Sequence, residues 1–229
     1  MKFALISCTF VIFTAAVPTT SKVCPRVQHN ANFDDLGGLP IIPANGIPMP
    51  YEGLFFQGIQ FTQVLRPIDL ENPLLTPLLS GIRLPGVEPH SGDNYARIGL
   101  TTEVGGTATL TTNYPSSNIE SFQLQDFYYG CTVQGTGATA IPTECVINFT
   151  GYKGSDNTVA SSTQVCSQSY QYNPSTQLAT QQQAFGKFDK CKDKDIQFAV
   201  ITYGLPGGLR ILDATLVMLM DDLSYSRVD

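Results

Sequence analysis

Short runs of alternating apolar and polar residues recur along the chain, and this two-residue rhythm limits what it can fold into. In residues 121–130 (SFQLQDFYYG), Phe122, Leu124 and Tyr128 fall on one face and Gln123 and Gln125 on the other. In residues 144–152 (ECVINFTGY), Ile147 and Phe149 oppose Val146, Asn148 and Thr150. Similar runs occupy 53–65, 95–100, 107–112, 196–203 and 216–228, bounded by Gly, Pro, Asn and Ser. A period of two with such punctuation specifies half-buried antiparallel strands. No stretch carries a long amphipathic helical pattern. The expectation is therefore one all-β domain, an antiparallel sandwich or barrel. Residues 66–94, broken by five prolines, are expected to cross the surface as a long loop.

The beginning of the sequence bears on compartment. Met1-Lys2, a mostly apolar run to Phe13 and the small residues Thr14-Ala15-Ala16 read as a secretory signal peptide over residues 1–16. Residues 17–30 then form a leader and 31–229 a single domain. The formal net charge of −6 becomes one unit more negative once Lys2 leaves. With no basic stripe to release counterions, nucleic acid is excluded as a partner. The apolar stretch 209–220 is interrupted by Arg210 and Asp213 and is too short to span a bilayer, so no transmembrane segment is expected.

Export makes the cysteines available for disulfides. Five remain after Cys8 leaves, an odd number. Cys131 with Cys145 is the first choice, holding two antiparallel strands at one rim across a turn-rich connection. Cys166 with Cys191 is the second, leaving Cys24 free or paired with another chain; a pairing of Cys24 with a later cysteine stays open. Asn148-Phe149-Thr150 is an N-glycosylation sequon on the polar face of its strand.

Two acidic pairs lie far apart, in NFDDL (32–36) and MDDLSY (220–225). Val217, Leu219, Leu223 and Tyr225 read as one apolar face, with Asp221 in its middle; Asp35 stands in the same relation to Phe33. A carboxylate on such a face needs a cation or hydrogen-bond donors. If first and last strands adjoin, Asp35 and Asp221, with Asp34 and Asp222 behind them, can bind a structural calcium. The alternative is that all four accept backbone N–H bonds at strand ends.

NFDDL, then IP followed by YEGLFF (47–56), SGDNYARIG (91–99), SFQLQDFYYGC, CVINFTGYKGSDNTV (145–159) and MDDLSY together resemble secreted fungal proteins with a galactose-binding-like β jelly roll, relatives of jelly-roll carbohydrate-binding modules. The resemblance implies a β-sandwich with adjoining first and last strands, often with calcium. It also implies a secreted, non-catalytic role at the cell surface or wall, with a polysaccharide or glycoprotein glycan as partner. The chain has no Trp, so Tyr must supply any stacking surface. Tyr51, beside a glycine-flanked strand, and Tyr95, beside Asp93 and Asn94, are the candidates.

Catalytic readings find less support. A jelly-roll glucanase needs carboxylates alternating along one strand, and no such run exists. Only His29 and His90 are available to a metal enzyme. The adjacent residues of HSGD (90–93) read as turn chemistry rather than a triad. Glu52, Glu88, Glu103 and Asp126 can meet only through the fold, which keeps a glycan-cleaving enzyme as the alternative. A structural or host-directed effector protein with no small ligand is the third reading.

Overall fold

The computed structural model describes residues 25–36, 45–63, 86–99, 108–134, 140–154, 156–177, 179–207 and 215–228. The expected signal peptide, Cys24, Glu103 and most of the proline-rich loop lie outside the described residues. Two antiparallel sheets pack face to face as an all-β sandwich compatible with a jelly roll. The larger sheet runs β13 (Ala184–Lys187), β8 (Ser121–Gln134), β15 (Leu216–Val228), β6 (Asn94–Gly99), β4 (Gln60–Gln63), β2 (Asn45–Gly46). To it are added β1 (Arg26–Ala31) on β15 and β9 (Ala140–Pro142) on β8. The smaller sheet runs β11 (Thr163–Tyr172), β10 (Cys145–Lys153), β14 (Phe198–Gly204), β7 (Ala108–Thr111), β3 (Phe55–Gln57). A short parallel contact joins β5 (Val87–Glu88) to β12 (Gln181–Gln182). Among the described residues no helix is long and apolar enough to cross a membrane.

The core is aromatic. Phe127 on β8 meets Phe149 on β10 across the sheets, with centroids 5.0 Å apart and near edge-to-face, and Tyr170 and Phe188 close the cluster. Such pairs add about 0.5–1.5 kcal/mol beyond the burial of each ring. Along β10 the expected alternation holds: Cys145, Ile147 and Phe149 are buried, whereas Val146, Asn148 and Thr150 are partly exposed. The sequon Asn148 thus lies on the solvent side of the smaller sheet, where it accepts a hydrogen bond from the Ser169 hydroxyl.

The first and last described strands adjoin, in register from Arg26↔Val228 to Ala31↔Leu223. β1 therefore begins at Arg26, inside the stretch read as a leader. The run 53–65 is not one strand: Gly58, at φ 68°, lies between β3 in one sheet and β4 in the other. Both expected disulfides form, Cys131–Cys145 and Cys166–Cys191. The first does not hold two neighbouring strands at a rim. Cys131 is on β8 and Cys145 on β10, so the bond links the two sheets through the core, where both residues are fully buried.

The apolar faces read for β8 and β15 also need correction. The register Met220↔Tyr129, Asp221↔Tyr128 resumes as Tyr225↔Leu124, Ser226↔Gln123, and between them both strands bulge. Each strand carries one extra residue, so the pairing is preserved while inside and outside exchange in both. Met218 and Met220 are buried with Cys131 and Tyr129 before the bulge, and Leu223 and Tyr225 with Phe122 and Leu124 after it. Tyr128 therefore faces away from the side that Phe122 and Leu124 occupy. At this point β15 also changes its other neighbour, from β6 (up to Met220) to β1 (from Leu223).

Candidate functional site

The change of neighbour leaves a gap beside β15, and the turn leading into β6 fills it. Asp221, completely buried, receives the backbone N–H groups of His90 (2.8 Å) and Ser91 (3.0 Å) on Oδ2 and that of Asp222 (2.8 Å) on Oδ1. Asp34, from the turn after β1, accepts from Asp93 N–H (3.0 Å) and Asn94 N–H (3.3 Å) on Oδ1 and from the Ser91 hydroxyl (3.2 Å) on Oδ2. Gly92, at φ 47°, packs so closely that a Cβ there would lie 1.9 Å from Asp34 Oδ1. The Asn94 side-chain amide donates to the carbonyls of Phe33 and Leu36, tying the same turn to the end of β1. Asp222, at φ 46°, accepts from the Asn30 amide on Oδ1, and its Oδ2 lies 2.7 Å from His90 Nδ1. Burial, reinforced by the charges of Asp222 and Asp34 and opposed by N–H groups of Ser91 and Asp222, pushes the Asp221 carboxyl up to about 7.

Three of the four acidic residues expected to act together thus converge, and Asp35 stands apart: its Oδ1 accepts the Tyr51 hydroxyl at 2.7 Å. Donors from the chain itself satisfy these carboxylates. Both oxygens of Asp221 and both of Asp34 face N–H or O–H donors, as the hydrogen-bonded alternative to calcium requires. Among the described residues no group of three or more His, Cys, Asp or Glu side chains is disposed to hold a metal ion.

The tyrosines expected to stack on sugar are in the core. Tyr51 is 6% exposed, packed against Phe33 and Phe56, and its hydroxyl accepts Phe33 N–H while donating to Asp35. Tyr95 is 4% exposed, and burial pushes its phenol up to about 12. Neither offers a ring face to a ligand. Asp93 is half-buried, and Asn94, buried, serves the turn just described.

Exposed aromatic surface lies elsewhere, on the outer face of β8 and β13. Phe185 pairs with Tyr128 across the strands, centroids 5.0 Å apart, and the His90 ring stacks on Tyr128 at 3.3 Å with planes 10° apart. Phe185 is 47% exposed and the His90 side chain 43%; Tyr128 between them is half-buried. Lys187 Nζ lies 5.7 Å from the Phe185 centroid. Glu88 and Gln182, hydrogen-bonded to each other at 2.7 Å, belong to the adjoining β5 and β12. The His90 ring is held by the acidic turn, through backbone bonds to Asp221 and the Gln183 side chain and through Asp222. Sequence reasoning missed this row because AFGK (184–187) does not show which face is covered; the run of three glutamines before it was the available signal.

Among the described residues, the scattered acids Glu52, Glu88 and Asp126 have separate partners. Glu52 bonds His29 at 3.0 Å, Glu88 bonds Gln182, and Asp126 is opposite Lys187 in the β8–β13 register. No family model matches the chain, and a search of curated proteins finds no match.

Proposed function

We propose that the chain is a secreted, non-catalytic glycan-binding protein of the cell surface or wall, with the galactose-binding-like, fungal character its motifs resemble. The observation that carries this reading is the row Phe185–Tyr128–His90. The exposed Phe185 ring beside the stacked Tyr128–His90 pair, with the Gln182 amide and the Glu88 and Asp222 carboxylates on the neighbouring segments, suits the apolar face and hydroxyl rim of a sugar ring. Two disulfides agree with an oxidising compartment. The glycan-cleaving alternative draws least on this geometry. Asp221, the carboxyl with a raised pKa, is wholly buried beneath three N–H groups and has no path to a glycosidic oxygen.

Retention on chitin, glucan and mannan tests the reading, with Phe185→Ala as control. Binding of the wild type and its loss in the variant are expected. Retention on none of them would leave the structural or host-directed effector reading, and release of reducing ends would restore the enzyme.

A further inference from the structure

Beside the aromatic row, at the end of β11, a groove of about 590 Å³ is lined by Gln171, Asn173, Ser175, Thr180, Gln181 and Gln182 over Tyr172. None of these side chains carries a formal charge. Gln181 is wholly used in shaping the loop: its Oε1 accepts the N–H (3.1 Å) and hydroxyl (2.7 Å) of Ser175, and its Nε2 donates to the carbonyls of Ala179 and Thr180. The other amides are half used. Gln171 Nε2 donates to Asn173 Oδ1 at 3.1 Å, and whichever way this amide pair is oriented it presents one carbonyl oxygen and one N–H to the groove. Gln182 Nε2 is spent on Glu88, leaving Gln182 Oε1 as a second acceptor. Gln171, Asn173 and Gln182 are all exposed.

We propose that this groove is a second sugar subsite and that its ligand is a neutral glycan. This mixture of amide acceptors and donors complements hydroxyl groups, each of which donates and accepts. A carboxylated or sulfated sugar offers mainly acceptors, which would face the Gln182 oxygen near the Glu88 carboxylate on a chain of net charge −6. An aminated sugar would find only Glu88 nearby, and that carboxylate is outside the lining and already accepts the Gln182 amide.

The proposal rests on the glycan-binding reading, so the experiment separates the two. Titration calorimetry compares neutral glucan, mannan and chitin oligosaccharides with oligogalacturonide and chitosan oligosaccharides, at low and at high salt. The wild type, Asn173→Asp, Gln182→Ala and Phe185→Ala are measured, each with a melting curve to confirm folding. The expected result is salt-insensitive binding of a neutral oligosaccharide, weakened about tenfold by Asn173→Asp, the effect of losing roughly one hydrogen bond to the ligand. Neutral binding that falls in Phe185→Ala but is unchanged in Asn173→Asp and Gln182→Ala would overturn the groove and leave the glycan-binding reading standing. Preference for a charged oligosaccharide, or binding abolished by salt, would overturn it as well. Binding of no glycan would overturn both.

Discussion

Asp221 shows how far one residue's surroundings can reverse its usual behaviour. A carboxylate that accepts three N–H bonds would ordinarily be favoured as an anion, yet here burial and the neighbouring Asp222 and Asp34 prevail and raise its pKa to about 7. Because the folded pKa exceeds the unfolded value, Asp221 contributes stability that is complete below about pH 4 and lost as pH rises through about 7. The loss is at most about 4 kcal/mol, from roughly three pKa units at 1.36 kcal/mol each. Melting temperature measured from pH 4 to 8 should therefore fall in the wild type by several degrees more than in Asp221→Asn, which cannot ionise; a wild-type profile that rises relative to the variant would refute this. Since the oxygens of Asp34 and Asp221 already face donors, wild-type melting curves in calcium and in chelator should coincide. Stabilisation by calcium that disappears in Asp34→Asn would mean that a cation displaces the donors of the 90–94 turn. The gathering of the two acidic pairs was legible in the residue pattern, but the omission of Asp35 was not. The two acidic pairs look alike in sequence, and only the crossing of β1, β6 and β15 decides which carboxylate meets which backbone.

At the scale of elements, the compensated bulge accounts for what alternation alone misread. Along β10 the pattern of buried and partly exposed residues matches the sequence because its pairings with β11 and β14 are regular over residues 146–151. In β8 and β15 an added residue reverses the faces without altering local hydrophobicity, so Tyr128 and the pair Val217 and Leu219 were assigned to the wrong companions. A one-residue shift in one strand alone sends every later side chain to the other face. Deleting Asp222 alone leaves β8 with an extra residue that β15 no longer matches, and deleting Gln125 alone does the converse, so in each variant the buried residues of the two strands fall out of step beyond the bulge. Each single deletion is expected to abolish the near-ultraviolet circular dichroism of the fold. Deleting both restores a common alternation and should recover a folded, weakened protein. A double deletion no better than the singles would show that the bulge itself, with the turn it accommodates, is required. The aromatic row escaped detection for a related reason: the exposure of a Tyr or Phe depends on which segment covers its strand, as the buried Tyr51 and the exposed Phe185 illustrate.

For the molecule as a whole, two kinds of connection oppose unfolding. Cys131–Cys145 ties one sheet to the other over a separation of 14 residues, and replacing both cysteines with Ala should cost about 2–4 kcal/mol, read from denaturant midpoints. The second connection is β15 itself. It lies between β8 on one side and β6 and then β1 on the other, so it completes the hydrogen bonding of three strands and buries Met218, Met220, Leu223 and Tyr225. Its pairing with β1 joins Arg26 to Val228, nearly the full length of the chain. Contacts so distant in sequence place folding in the slow range, milliseconds to seconds. A chain ending at Thr215 would have apolar strand edges on both sides of an empty slot, the condition that favours edge-to-edge association. It is expected to aggregate or remain unfolded. A peptide of residues 216–229 supplied in trans should fill the slot by strand addition and restore the near-ultraviolet signal. The same peptide with Met220 and Tyr225 replaced by Asp should fail, because the slot selects side chains on the buried face as well as backbone pairing. A truncated chain that is monomeric and folded without the peptide would mean that β8 closes directly on β6, and β15 would then be an addition to the sandwich rather than its central strand.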